Sequence, residues 1–377
     1  MKPVAYPIFG DISCYADCSN ARQKVRLAGE TLKGLVVVPS GRRDWVPEEY
    51  CGPVQEVPFL PRTIWGRLRL VRSLRHQIGG WGRTVSNELT FFEGILLSLF
   101  SGVKIVLFCW DPPGNTVRNR SDWVCRFRSW LMDLLMNVAV CVSSGMILNL
   151  HPGFLEGRCW ARARKKIHVF PNGTTLAKNI QIAAQGQKVP KRFGMACRIN
   201  ELKGCWDAVN FFVALWQRDP EVSLLWVGGG KTDEVKTALL AKGIPARQLI
   251  FPGDLPREKT LPLLATCSFA LNFYPDVPSL RWNYLLKAPE FLSMGLPVVT
   301  NDLPGIGEYV KDGVTGVVFP TSEIEVGVEK TLRILADPQL EQRLRAQAES
   351  HAANYDWLAI HERMAVVIRD MLAKCGV

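Results

Sequence analysis

At 377 residues, 47% hydrophobic and 21% charged, the chain exceeds what one ordinary core organises, and its globular composition leads us to expect two domains. The formal net charge of +11 is uneven: residues 1–170 hold 23 Lys/Arg against 13 Asp/Glu, and residues 171–377 hold 23 against 22. The first half is therefore expected to meet something anionic. Eleven scattered cysteines and five scattered histidines, with no CxxC pair, argue against a disulfide framework or a zinc site and fit free thiols in a reducing, cytoplasmic setting.

The opening MKPVAYPIFGDISC has no long apolar run with a cleavage site behind it, against a secretory signal. Short apolar runs predict strands at 4–9, 35–38, 103–108, 138–142 and 167–170. Two apolar stretches, 95–110 and 131–150, are broken by Lys104 and by Asp133 and Asn137. Neither reads as a bilayer span, which needs about 20 mostly apolar residues. The polar stretch 177–190 reads as a linker. A second series of strands is predicted at 192–197, 223–227, 249–251, 269–273, 297–300 and 316–319, with crossover helices at 207–217, 233–242 and 289–294. The closing segment 341–372 is helical, with Trp357, Ile360, Met364 and Ile368 on one buried stripe. The boundaries expected are a first domain at 1–175, a linker at 176–190, a second domain at 191–350, and a C-terminal helix at 351–377 packing back on the first domain. Both domains read as doubly wound, Rossmann-like α/β units.

Three signals in the second series carry chemistry. GMACRINELKG (194–204) sets Arg198 and Lys203 between a strand and a helix, and WVGGGKTDEV (226–235) ends a strand in the glycine turn Gly229–Gly230. KAPEFLSMGLPVV begins a helix at Pro289, followed by Glu290. In doubly wound domains ligands sit at the carboxyl ends of the strands, where all three signals fall. Two cations and free helix N–H groups suit a diphosphate. An ionised carboxylate, which only accepts hydrogen bonds, suits the vicinal hydroxyls of a ribose. Together they make a nucleotide-binding layout facing an interdomain cleft.

These residues resemble the retaining, nucleotide-sugar-dependent glycosyltransferases of the GT-B fold, specifically family 4. CRINELKG is similar to that family's GRxxxxKG segment, with Cys197 at the glycine. HVFPNGTT (168–175) is similar to its I-P-N-G segment, and LIFPGDLPREKTLPLLATCSFALNF (249–273) to its V-x-F-x-G-x-x-P segment. KAPEFLSMGLPVVTNDLPGIGEYVKDGVTGVVF resembles its nucleotide-binding segment. The likeness is close over 165–375 and loose over the first 150 residues.

The resemblance implies two domains facing across a cleft. It makes Arg198 and Lys203 the diphosphate-binding catalytic cations and Glu290 the ribose ligand. Lys287 faces the site in an LLKAPE pattern. Gly229 and Gly230 join the donor side, the backbone of Leu255 and Pro256 approaches the base, and Gly10 completes the donor-binding set. The sequence departs from the family at Trp282, where many members carry a second glutamate, and at LFCWDPPGN (107–115), where many carry His-Asp. Asp111 is the candidate there for positioning the sugar or taking the acceptor's proton, and a capped DPPG turn is the plain alternative.

The implied reaction moves a sugar from a UDP- or GDP-linked donor to a hydroxyl with retention, without metal or cofactor. Three basic-aromatic clusters suggest a lipid-linked or glycan acceptor at an anionic membrane surface, as in polysaccharide or glycolipid synthesis. They are RTIWGRLRLVRSLRHQIGGWGR (62–83), Arg118 to Arg128 with Trp123 and Trp130, and RCWARARKK (158–166). The enzyme is then peripheral on the cytoplasmic face. In the first cluster, read as a helix, Leu70, Val71, Leu74 and Ile78 share one face and Arg69, Arg72 and His76 the other. The alternatives are a sugar-nucleotide epimerase of the same architecture, a sugar-nucleotide-binding scaffold without turnover, and a nucleic-acid-binding protein. Against the last, no recognised nucleic-acid module is readable.

Overall fold

The computed structural model describes residues 2–8, 19–58, 63–85, 88–110, 122–156 and 163–374. Gly10, Asp111 and the arginines at 118, 120, 158 and 162 lie outside the described residues. The contacts divide the chain into two units, Met1–Pro171 with Trp357–Val377, and Asn172–Asp356.

In the first unit the described strands form one parallel sheet. They are β1 (Val4–Pro7), β2 (Leu35–Pro39), β3 (Val54–Val57), β4 (Gly80–Thr84), β5 (Lys104–Cys109), β6 (Gly145–Leu148) and β7 (Ile167–Val169), in the order β3-β2-β1-β4-β5-β6-β7. The helices are α1 (Asn20–Arg26), α2 (Ile64–Leu74), α3 (Glu88–Phe100) and α4 (Trp123–Val142). Central strands such as VVV at 36–38 and IVLFC at 105–109 are buried throughout, as a sheet covered on both faces requires.

Two sequence expectations fail here. Residues 138–142, read as a strand, are the last turns of α4, which Ser143 closes; the strand follows at Gly145. The β-branched run VAVCV yields to a helix already propagating from Trp123, whose start Asp122 caps by accepting from the Cys125 N–H at 2.9 Å. In the 62–83 segment only 64–74 are α2, and GWGRT becomes β4, an assignment its two glycines hide. Leu70 is half-buried, while Val71, Leu74 and Ile78 are buried and Arg69, Arg72 and His76 exposed.

The second unit holds β8 (Arg192–Ala196), β9 (Ser223–Val227), β10 (Leu249–Gly253), β11 (Phe269–Leu271), β12 (Val298–Asn301) and β13 (Gly316–Phe319), all parallel, in the order β10-β9-β8-β11-β12-β13. Its helices are α5 (Leu176–Gln185), α6 (Cys205–Arg218), α7 (Thr232–Ala241), α8 (Arg257–Ala265), α9 (Lys287–Leu292), α10 (Pro304–Gly307), α11 (Ile324–Leu335) and α12 (Pro338–Ala352). Phe211 sits between Phe273 and Phe319, each ring centroid 5.5 Å away, and Phe193 stacks on Phe269 at 5.1 Å. This aromatic core fixes the strands whose ends carry the site.

The expected linker at 176–190 is corrected: 176–185 are helix α5, packed on α8. Its Ala, Leu, Gln and Lys residues are good helix formers, and its polarity reflects a half-exposed surface helix.

The last helix, α13 (Trp357–Lys374), belongs to the first unit. Trp357, Ile360, Met364 and Ile368 are all buried, the stripe the spacing predicts. Burial pushes His361, on the same helix, down to about 3. No described helix is long and apolar enough to cross a membrane.

Candidate nucleotide-binding site

In the second unit the chain leaves β8 in one direction to β9 and β10, then returns to place β11 on the other side of β8. This reversal is the switch point at which open α/β sheets bind ligands. The loops at the carboxyl ends of these strands are tied to one another. The Ile199 N–H donates to Gly229 O at 2.8 Å, and the Lys231 N–H to Ile199 O at 2.9 Å. Gly230, at φ 115°, lets the β9 loop approach so closely that a Cβ there would lie 2.4 Å from Ile199 O. Gly229 donates its N–H to Asp254 Oδ1 at 2.6 Å. The glycines expected on the donor side thus build the loop platform, and the Gly229 N–H is already engaged.

The Lys-Gly pair of CRINELKG has a clear structural logic. Residues Glu201–Lys203 form one 3-10 turn, and Gly204 ends it in the left-handed region at φ 61°. A Cβ on Gly204 would lie 2.7 Å from the Phe273 carbonyl, in the loop after β11. Gly204→Ala is expected to lower unfolding stability by about 1–3 kcal/mol, from left-handed strain and displaced backbone. Urea denaturation checks this, and an unchanged midpoint contradicts it.

The turn carries Lys203 over Tyr274, its Nζ 5.1 Å from the ring centroid. Tyr274 is itself held by Asn301, whose side chain accepts from the Tyr274 N–H at 3.2 Å and donates to its carbonyl at 2.7 Å. Burial lowers the pKa of Lys203, and the nearby Lys287 lowers it further, against the opposing influence of the Cys197 thiol. Cys197 is pushed up to about 11 by burial, against the influence of Lys203 and Lys287, so it stays a neutral thiol. Two half-buried ammonium groups whose charges act on each other favour an anion nearby, and Glu290 already supplies one to Lys287. Arg198 is exposed and has no ion pair among the described residues.

Glu290 is 3% exposed and fully engaged. Its Oε1 accepts from Arg257 Nε at 3.0 Å and Nη2 at 2.7 Å, and its Oε2 from Lys287 Nζ at 2.8 Å. Burial alone would raise this carboxyl, but Lys287 and Arg257 outweigh it and hold the pKa below the usual range. Arg257 Nη2 reaches on to Asn179 Oδ1 at 3.2 Å, and the Asn179 amide donates to Ser293 Oγ at 2.8 Å. The presumed linker therefore supplies a residue that orients the carboxylate.

Helix α9 starts at Lys287 rather than Pro289 and spans six residues. Pro289, third in the helix, offers no N–H, so most of the attraction for an anion falls to the cations. Leu255 is half-buried and Pro256 exposed at the cap of α8. Their carbonyls both lie within reach of the Thr260 hydroxyl, at 3.2 and 3.1 Å. Trp282 stands in a cation–π contact with Arg281 at 5.8 Å.

The structure thus joins Lys287 to Glu290 and sets Lys203 within electrostatic reach of Lys287. It adds Arg257, Asn179 and Tyr274, which sequence reading missed. The only advance signal for Arg257 was its place just after the P of the F-x-G-x-x-P segment. At the carboxyl ends of the strands, buried Asn200 Oδ1 and Asn272 Nδ2 have no partner among the described residues; buried polar atoms of this kind call for one. A separate hollow lined by Lys188, Met294, Glu341 and Arg345 takes no residue from the strand-end loops.

In the first unit Trp110, next to Asp111, packs edge-on against Trp357 at 6.2 Å, with Lys24 Nζ 5.1 Å from its centroid. Burial pushes Lys24 down to about 7.

Two doubly wound units, with a cationic cluster at a switch point of the second, define the GT-B glycosyltransferase fold. The chain superimposes on sucrose-phosphate synthase from Thermosynechococcus elongatus with a TM-score of 0.69 at 17% identity, covering 99% of this chain and 100% of that one. It matches Anabaena Alr3699/HepE, in its complex with UDP-glucose, with a TM-score of 0.66 at 17% identity over 98% of this chain and 100% of that one. Residues 190–337 match the family model of glycosyl transferases group 1. The chain is also 26% identical over 244 residues to glycogen synthase of Mycobacterium tuberculosis, covering 63% of this chain and 55% of that protein. It spans about half the length of the curated relatives it matches.

Proposed function

We propose that the protein transfers a glycosyl group from a UDP- or GDP-linked donor to a hydroxyl of a lipid-linked or glycan acceptor, with retention at the anomeric carbon. One observation carries this reading. Lys287 is paired with a buried carboxylate, and its charge reaches the half-buried Lys203, at the switch point of a region that matches the glycosyl transferases group 1 model. Alr3699/HepE, a structure of the same fold, is described with UDP-glucose bound, which favours UDP as the first nucleotide to test.

The bond from the anomeric carbon to the diphosphate oxygen breaks, and the leaving group gains charge. In this reading Lys203 and Arg198 stabilise that charge more in the transition state than in the bound donor. A new bond forms to the acceptor oxygen on the same face, and its proton passes to a base, for which Asp111, standing where many of the family carry His-Asp, is the candidate.

Glu290 can serve both vicinal hydroxyls of a ribose only through an exchange. Three N–H contacts leave little acceptor capacity on a carboxylate. Lys287, its side chain 34% exposed against 11% for Arg257, is the partner able to leave. In the donor complex Lys287 turns to the diphosphate, Oε2 accepts from the ribose, and Arg257 keeps the carboxylate in place. The scattered thiols and basic first half suit work on the cytoplasmic face of a membrane.

Thermal unfolding with UDP, UDP-glucose, GDP and GDP-mannose tests the donor class. A nucleotide at about 100 times its Kd adds about 2.7 kcal/mol to the apparent stability and raises Tm. No shift with any of the four overturns the reading. Product analysis of donor incubated without acceptor separates transfer from epimerisation, since only an epimerase changes the sugar unaided.

A further inference from the structure

Helix α4 is apolar on two opposite faces. Cys125, Met132, Met136, Ala139 and Val140 are buried. Trp123, Phe127, Trp130, Leu134 and Val138 follow one another at spacings of three and four on the opposite side, and all are exposed. Trp123 is 78% exposed and Trp130 53%. Phe127 and Trp130 stack, with centroids 5.8 Å apart. Helix α3 repeats the pattern with exposed Phe92, Leu99 and Phe100. Helix α2 adds Trp65, 67% exposed.

The topology puts these faces side by side. The crossovers β3–α2–β4, β4–α3–β5 and β5–α4–β6 all advance in one direction along the sheet, whereas β1–α1–β2 runs the other way. Right-handed crossovers therefore place α2, α3 and α4 on the same side of the sheet. Helix α3 packs against both neighbours, and Arg72 of α2 donates to the Phe100 carbonyl at 2.9 and 2.6 Å. Ten of the seventeen large exposed apolar side chains among the described residues lie on these three helices, a concentration on one side of the sheet that singly scattered surface residues do not give.

The charge around the patch is mainly positive. Arg69, Arg72, Arg75, Arg126 and Arg128 are exposed. Among the acids there whose side chains are described, Glu93 is buried and taken up by Arg67 and Arg83, Asp133 is half-buried, and Asp122, exposed, caps α4 through the Cys125 N–H. We propose that the outer surface of α2, α3 and α4 docks on an anionic lipid bilayer, with the α4 aromatics entering the headgroup region and the arginines meeting lipid phosphates. Aromatic side chains ringed by arginine match that interface in both polarity and charge. A second copy of the chain fits less well, because a two-fold contact through this patch would set arginine against arginine.

The proposal extends the proposed function by saying where a lipid-linked acceptor is met, but its test needs no turnover. Co-sedimentation of the full chain is measured with phosphatidylcholine vesicles containing about a third phosphatidylglycerol, and with phosphatidylcholine alone. Binding to the anionic vesicles, with a blue shift of tryptophan emission, is expected. Trp123→Ser/Phe127→Ser/Trp130→Ser should weaken it about tenfold or more. Arg126→Glu/Arg128→Glu should weaken it on anionic vesicles alone. Both variants should keep the wild-type thermal shift with UDP, which shows them folded and separates this proposal from the donor assignment. Absence of vesicle binding by the wild type overturns it. So does unchanged binding by the triple variant, or a concentration-dependent dimer in sedimentation velocity that the triple variant abolishes.

Discussion

Lys203→Ala is expected to lower the turnover of nucleotide-sugar by a factor of about 10² to 10³, the usual loss when a fixed charge aimed at a developing oxyanion is removed. The lysine is half-buried and anchored over Tyr274, so its charge acts where water screens it poorly. An interaction strongest in the transition state appears mainly in kcat, with a smaller change in KM. Arg198→Ala should give a weaker defect of the same kind, because that side chain is exposed and has more orientations open to it. Lys203→Arg should recover only part of the rate, since a planar guanidinium does not fit a space shaped for an ammonium. Near-normal kcat in both alanine variants would remove the diphosphate assignment.

The parts of this site legible in the sequence are those written in local order. A strand, a polar turn and a glycine before a helix announce CRINELKG, and the structure explains the glycine by the close approach of Phe273 to Gly204. The carboxylate of Glu290 was legible as a residue but not as an environment. Its guanidinium partner lies 33 residues earlier in the chain, and the amide that steadies that guanidinium lies 78 residues from it. No local pattern reports contacts of that kind.

The misread elements share another cause. The end of α4 and the GWGRT strand have propensities opposed to their final state, and tertiary packing decides both. Gly82 of β4 is needed because a Cβ there would lie 2.8 Å from the Tyr6 ring. This close approach becomes visible only once β1 and β4 are paired. The doubly wound character was legible throughout, because a buried parallel strand carries its signal in its own residues.

Glu290→Ala is expected to cost about 3–5 kcal/mol of unfolding stability, the usual result of leaving buried cations without their counter-charge. Arg257 carries most of that penalty, since its side chain is 11% exposed while Lys287 reaches solvent. Glu290→Gln keeps an oxygen for Arg257 and should cost less, and Lys287→Met less again, because the Arg257 pair survives it. The acid limb of the stability profile offers an independent check. The folded pKa of Glu290 lies below the ordinary carboxylate value of about 4.5. Its contribution is therefore complete above that value and is lost as pH falls through the folded pKa, where the unfolded chain already binds the proton. The gap between wild type and Glu290→Gln in urea midpoints should accordingly be widest near neutrality and narrow on acidification below about pH 4.5. A gap that stays constant from neutrality to strong acid would mean that Arg257 and Lys287 do not hold the carboxylate as an ion. The exchange of Lys287 for a ribose hydroxyl would then lose its physical basis, because only an ionised Glu290 pinned by Arg257 can release one partner and remain in place for another.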